Sequence, residues 1–253
     1  MRVLLSNDDG VNAAGLAALA QAFADDEVWV VAPDREQSAA SHSISLHRPL
    51  RISEIGPRRY AVDGTPTDAV YMALNLILQG KRPDVVVSGI NHGPNLANDV
   101  LYSGTVAAAM EAALLGVHSL AVSLAARPPQ DFSHAAAFAV ALARRVVAMQ
   151  PPAPMLLNVN VPAGAVKGYR FVRLGRRNYG NDVVEKTDPR GRKYFWIGGV
   201  LGGFEHIPLS DCNTVLEDGL VSVTPLHLDQ THDSLLRELR NWTLDGFRKE
   251  PGL

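Results

Sequence analysis

Five short, almost unbroken apolar runs, at residues 2–5, 28–33, 84–90, 119–124 and 155–161, constrain what this chain can fold into more than any other feature. Their length suits strands, and the lack of polar alternation means burial on both faces. Between them lie Ala- and Leu-rich segments with helical spacing, at about 14–24, 66–79, 105–115 and 131–149. Strands that alternate with helices imply a parallel sheet covered by helices on both faces. A chain of 253 residues is long enough for one such domain with an appendage.

Two helix starts are explicit. Thr65-Pro66-Thr67-Asp68 offers a Thr cap, Pro at the first helical position and an early acidic residue, and Ser103-Gly104-Thr105 precedes the run Val106 to Leu115 in the same manner. Residues 46–62 predict a hairpin around Gly56-Pro57. The pattern changes after Pro162. From 163 to about 210 the chain is rich in Gly, Arg and aromatics, with strand-like YRFVRL at 169–174 and YFWIGG at 194–199 around the turn signal Asp188-Pro189-Arg190-Gly191. This predicts a protruding β arm, followed by a strand at 220–226 and an amphipathic helix at 233–248. The expected division is a core over 1–162 and an arm, last strand and final helix over 163–253 that is not an independent domain.

Composition excludes several classes of partner. A formal net charge of −2 gives no basic field for nucleic acid polymers, so an anion must be held by local groups such as a metal or helix N-termini. Cys212 is the single cysteine, which rules out an intrachain disulfide or a CxxC pair and favours a reducing cytosol. The opening residues are too short an apolar run for a signal peptide, and nothing reaches the roughly 18 apolar residues of a membrane span. A cytoplasmic protein without a membrane partner is expected.

In open α/β sheets ligands bind beyond the carboxyl ends of the strands, where strand order reverses. Asp8 and Asp9 follow the first strand, Ser38 lies in the loop after the second, and Asn91 and Asn95 follow the strand ending at Ile90. Adjacent carboxylates repel unless a cation neutralises them, and oxygen donors from Asp, Ser and Asn suit Mg²⁺ or Mn²⁺. Taken singly, each residue has a plainer reading. An Asp of the pair can cap the following helix, Ser38 and Asn91 can complete turns, and Ser103-Gly104-Thr105 can be only an N-cap, although that geometry also presents N–H groups and hydroxyls to a phosphate. His42 and His92 fall in the same two loops as Ser38 and Asn91 and are candidates for a general acid or a ligand.

Five motifs occur in order: SNDDG at 6–10, APDREQSAASHSIS at 32–45, GTPTD at 64–68, SGINHGPN at 88–95 and YSGTVAAAMEA at 102–112. Together with DPRGRKYFWIG at 188–198 and VSVTPLHLD at 221–229, they closely resemble the SurE family of survival-protein nucleotidases across nearly the whole chain. The resemblance implies a Rossmann-like three-layer αβα sandwich with an extended C-terminal β arm and C-terminal helix. It implies a metal-dependent phosphatase of nucleoside 5′- and 3′-monophosphates, with short polyphosphate as a further substrate of some members. By the same resemblance Asp8, Asp9, Ser38 and Asn91 hold one divalent ion, Mg²⁺ or Mn²⁺, and Asp8 and Asp9 are the catalytic pair. Asn95, Ser103, Gly104 and Thr105 hold the phosphate, and the subunits form a homodimer or homotetramer by exchanging the C-terminal arm. Ala14 and Ala39 replace residues that are Pro and Gly in many relatives, which touches loop geometry and substrate preference more than the ligand set.

Three other readings compete on the residues alone. An aspartyl-phosphate enzyme favours a DxD spacing, which the adjacent pair lacks. A phosphoacceptor receiver domain needs a middle-strand Asp and a later-strand Lys, and neither is present. A noncatalytic nucleotide-binding module needs the same rim without the attacking water.

Overall fold

The computed structural model describes residues 1–126, 131–179, 183–197 and 201–248. The first half alternates as expected: β1 (Arg2–Ser6), α1 (Ala14–Ala22), β2 (Glu27–Pro33), the hairpin β3 (Ile52–Gly56) and β4 (Arg59–Val62), α2 (Pro66–Met72), β5 (Val85–His92), α3 (Gly104–Leu114), β6 (His118–Ala125), α4 (Ser133–Met149) and β7 (Leu156–Pro162). After Pro162 come β8 (Tyr169–Phe171), β9 (Arg177–Tyr179), β10 (Val183–Thr187), β11 (Lys193–Ile197), β12 (Leu201–Phe204), α5 (Asp211–Leu216), β13 (Val221–Pro225) and α6 (Asp233–Leu239).

Nine strands form one sheet in the order β3-β4-β2-β1-β5-β6-β7-β13-β8. The chain first builds outward from β1 through β2, then returns to lay β5 on the other side, so strand order reverses between β1 and β5. Both neighbours run parallel to β1, with Leu5 opposite Val30 in β2 and opposite Val87 in β5. One face packs Leu16, Leu19 and Phe23 of the α1 region and Ala135, Ala139 and Ala143 of α4 against Val87, Leu120 and Val159. The other face packs Ala69, Val70 and Ala73 after the Thr65 cap, and Ala108 and Ala112 of α3, against Leu4, Val31 and Val86. This is the Rossmann-like three-layer αβα sandwich. The helices use Ala on their buried sides because a small side chain lets a helix lie close on a sheet of Val and Leu.

The sequence signals for α2 are all realised. Thr65 accepts from the Asp68 amide at 3.1 Å while Asp68 accepts from the Thr65 amide at 2.9 Å, a capping box with Pro66 at the helix start. The helix expected over 66–79 changes pitch, however, because Ala73–Ile77 forms a π-helical turn. The strand expected to end at Ile90 continues to His92, with a bulge between Gly89 and Asn91. Asn91 and His92 therefore sit on a strand end, not in a loop.

The segment after Pro162 departs further from expectation. Strand β13 pairs antiparallel with β7, and β8 pairs parallel with β13, so both complete the main sheet. Strand-like YRFVRL shortens to β8, with only an isolated bridge from Arg173 to Ser210 beyond it. The arm proper is the β9–β12 pair and the β10–β11 hairpin, which turns at Asp188 to Gly191 as the residues there predict. The expected strand at 194–199 is seen as β11 to Ile197, and Gly198 and Gly199 lie outside the described residues. The short helix α5 lacks enough periodic residues to be read from sequence. The final helix ends at Leu239 and not at 248. None of its residues is buried, so no packing extends it through Thr243, Asp245 and Gly246, which are poor helix formers.

One glycine sets the distance between α1 and the sheet. A Cβ on Gly15 would lie 2.0 Å from the Ile90 carbonyl oxygen, whereas one on Gly56 would meet nothing nearer than 3.9 Å. Gly15→Ala is expected to lower unfolding stability by about 2–3 kcal/mol through overpacking. In urea denaturation Gly56→Ala is expected to shift it by less than about 1 kcal/mol.

Candidate active site at the strand-order reversal

A cleft of about 340 Å³ opens at the β1–β5 reversal. Its lining includes Asp8, Asp9, Ser38, Asn91, Asn95 and Ser103, six of the eight residues to which the family resemblance gives a role. The chain leaves β1 through a tight turn in which the Asn7 side-chain amide donates to the Gly10 carbonyl at 3.0 Å. Gly10 has φ +100°, a region L side chains avoid, and a Cβ there would also lie 3.2 Å from the Arg35 carbonyl carbon. That turn aims Asp8 and Asp9 into the cleft. The helix-cap reading of the pair is overturned, because α1 starts at Ala14 with Ala13 at its cap position and no side-chain cap.

Asp8 is buried, and α3 is built against it. The Thr105 hydroxyl donates to Asp8 Oδ1, and a Cβ on Gly104 would lie 2.7 Å from Asp8 Cβ. Gly104 is thus required by close approach, and the Thr105 hydroxyl faces a carboxylate. The Ser103 hydroxyl accepts from the Val106 amide at 3.1 Å and keeps its own proton, so this helix start presents both backbone N–H groups and that O–H to an anion. The loop after β2 is stitched to the pair by the Gln37 amide, which donates to the Asp8 carbonyl at 2.8 Å, and this brings Ser38 to the rim. Across the cleft, the Asn91 side-chain nitrogen donates to the Gly93 carbonyl at 2.8 Å, which leaves its amide oxygen for a ligand.

The electrostatics fit a cation. Burial raises the Asp8 carboxyl to about 6, partly opposed by the Thr105 hydrogen bond. Asp9 is also raised by burial, with His92 pulling it back and Glu36 pushing it further up. Asp9 Oδ2 is buried with no hydrogen-bond partner. Among the described residues lining the cleft there is no Lys or Arg to neutralise Asp8, Asp9 and Glu36, whereas Asp99 is paired with Arg177 from outside the lining. Nor do the described residues hold a group of three or more His, Cys, Asp and Glu that could bind an ion. The donors that converge here are carboxylate, hydroxyl and amide oxygens, the set a hard divalent ion takes and a soft one does not.

The two candidate histidines separate. His92 lines the cleft, with its ring 5.1 Å from that of Phe132. His42 lies outside the lining, where its Nε2 is 2.9 Å from Glu111 Oε2 on α3.

Several contributors escaped the sequence reading. Asn95 is held by a wholly buried amide network: its backbone N–H donates to Asn160 Oδ1 at 2.7 Å, and its carbonyl accepts from Asn158 at 2.8 Å and Asn160 at 3.0 Å. Its own side-chain nitrogen is 2.8 Å from the Ser123 hydroxyl. The available signal was two asparagines at alternate positions of an otherwise apolar strand, which puts both on one buried face where each needs a partner. Glu36 and Asp99 also line the cleft, and Arg177 of β9 pairs with Asp99, which ties the arm to the cleft wall.

A mostly parallel, doubly wound sheet with a cleft of carboxylate, hydroxyl and amide oxygens at its switch point defines a Rossmann-like α/β protein, a class in which ligands bind at that point. The family described as Survival protein SurE matches residues 3–181, and the chain belongs to that family. It is 76% identical over 254 residues to the 5′-nucleotidase SurE of an Anaeromyxobacter species, covering 100% of both chains. The 5′-nucleotidase SurE of Myxococcus xanthus is 57% identical over 99% of this chain and 97% of its own length. The crystal structure of the SurE protein from Aquifex aeolicus superposes with a TM-score of 0.85 at 40% identity, covering 95% of this chain and 98% of that one.

Two outcomes follow from this geometry. Without metal, protonated Asp8 is favoured by the fold, because its folded value near 6 exceeds the unfolded value of 3.8. Its contribution, on the order of 3 kcal/mol, is therefore present below about pH 4 and lost as pH rises through about 6. In EDTA, Asp8→Asn is expected to become progressively more stable than the wild type across that window by thermal melting, and Mn²⁺ is expected to restore the wild type alone. For the amide network, Asn160→Leu leaves a buried N–H without its acceptor and is expected to cost about 2–4 kcal/mol. Asn158→Leu should cost less in the same denaturation assay, because Asn160 still serves the Asn95 carbonyl and the Asn158 oxygen has no partner to lose.

Proposed function

We propose that this protein is a divalent-metal-dependent phosphatase that hydrolyses nucleoside 5′- and 3′-monophosphates to nucleoside and phosphate. Short polyphosphate would be a further substrate, since its end presents a similar terminal phosphoryl group. The observation that carries the reading is buried Asp8 beside half-buried Asp9, whose Oδ2 is unpartnered, at the switch point of the sheet. The 5′-nucleotidase name carried by relatives aligned over the full length supports the choice of substrate.

Asp8, Asp9, Ser38 and Asn91 would hold one Mg²⁺ or Mn²⁺ ion. When bound, the ion supplies Lewis acidity to a phosphate oxygen and makes a water nucleophilic near neutral pH. The protein's own groups do the rest. Thr105 fixes the orientation of Asp8 through its hydroxyl. Asp9 Oδ2, which has no other partner, accepts the proton of the attacking water. Asn95 and the backbone N–H groups at the start of α3, around Ser103, Gly104 and Thr105, take the equatorial phosphate oxygens, with the helix dipole favouring the negative charge that builds there. The amide network under Asn95 keeps that group from swinging away.

The arm suits assembly. Phe195, Trp196 and Ile197 of β11 are exposed, as are all residues of α6, and an exchanged arm in a homodimer or homotetramer would cover them. Among the described residues no helix is long and apolar enough to cross a membrane. Phosphate release from AMP is the deciding measurement. It should require added Mn²⁺ or Mg²⁺, stop in EDTA, and fall by at least about 10²-fold in Asp8→Asn at saturating metal. Wild-type turnover in Asp8→Asn would sink the assignment.

A further inference from the structure

We infer that Glu36 is a positioning residue that turns the Ser38 hydroxyl into an oriented oxygen ligand for the cleft. This rests on the metal-dependent reading above and goes beyond its ligand set. The Ser38 hydroxyl donates to Glu36 Oε1 at 2.6 Å, a length typical of a charge-assisted O–H···O⁻ bond. A serine hydroxyl has one proton and two lone pairs. With the proton directed at Glu36, the lone pairs are what remains for a cation, and the neighbouring carboxylate makes that oxygen a stronger donor. Bonds of this kind behind a ligand typically change metal affinity by about 10–100-fold.

The backbone holds both side chains in place for this. Gln37, between them, donates its amide to the Asp8 carbonyl at 2.8 Å, and its own carbonyl accepts from the Ala40 amide at 3.2 Å. Ala39 at φ 56° closes that turn. Glu36 and Ser38 flank the pinned residue, and both line the cleft with Asp8 and Asp9. The placement is otherwise unfavourable, because Glu36 adds negative charge to a cleft already lined by Asp8 and Asp9. A third carboxylate beside this pair, with no Lys or Arg among the described lining residues, is accounted for when it serves a bound cation.

A double-mutant cycle read by calorimetric Mn²⁺ titration tests this without any turnover, at about 0.3 M salt so that through-space attraction is screened. Glu36→Gln is expected to weaken Mn²⁺ binding about tenfold in the wild-type background. It should have almost no effect in a Ser38→Ala background, where no hydroxyl remains to orient. Because Glu36 is exposed, its melting temperature in EDTA should stay at the wild-type value. Unchanged Mn²⁺ affinity in Glu36→Gln overturns the inference. An equal loss in the Ser38→Ala background also overturns it, and shows that Glu36 binds the ion itself. A wild type that binds no Mn²⁺ is a separate result, which removes the metal-dependent reading and this inference together.

Discussion

The structure depends most on the contact between the start of α3 and Asp8. Thr105 bonds the carboxylate, and Gly104 leaves no space between helix and aspartate. The contact joins the first strand to the helix that follows β5, the two halves that meet at the switch point. Holding Asp8 there has an energetic consequence, since burial favours the protonated acid. Ionising Asp8 there is thus unfavourable, and on the proposed metal-dependent reading cation affinity and fold stability are two measures of one arrangement.

The sheet contributes more than a platform. Strand β7 turns Asn158 and Asn160 toward the backbone of Asn95, and Ser123 of β6 meets the Asn95 side chain. Such a network is favourable only when its polar groups are satisfied together, and it then specifies one conformation. The loop carrying Asn95 is thereby hydrogen-bonded to the strands below it through both its backbone and its side chain. The rim opposite is different in kind. Glu36, Gln37 and Ser38 lie in an exposed turn anchored by one backbone bond to Asp8. One wall of the cleft is therefore held from beneath by buried side chains, and the other by a backbone bond at the surface.

The arm connects to this centre where Arg177 reaches Asp99 on the cleft wall, and Phe204 of β12 packs against the cluster that holds Leu96 and Ala97 beside Asn95. Its hairpin exposes aromatic and aliphatic side chains on a ribbon that two strands alone hold weakly in water. The core sheet, by contrast, takes β13 and β8 from the same C-terminal stretch. Residues after Pro162 thus serve two purposes, closing the sheet and projecting beyond it.

The amino-acid sequence by itself determined the layering, the strand-to-helix alternation, the caps of α2 and α3 and the position of Asp8-Asp9 at a strand end. Each of these is a local or periodic property, written in side-chain type and spacing. It also marked Ser38, Asn91 and Asn95 as oxygen donors on separate segments, and Gly104 and Thr105 as part of a helix start. Tertiary structure alone decided that Gly104 and Thr105 face Asp8, that Asn91 lies on a bulged strand, that His42 turns to Glu111, and that two strand asparagines clamp Asn95. It also decided that β13 enters the sheet between β7 and β8, and that α6 stops at Leu239. These contacts join residues up to about a hundred positions apart, and their partners are chosen by which atoms burial brings within reach, a choice that no periodicity along the chain encodes.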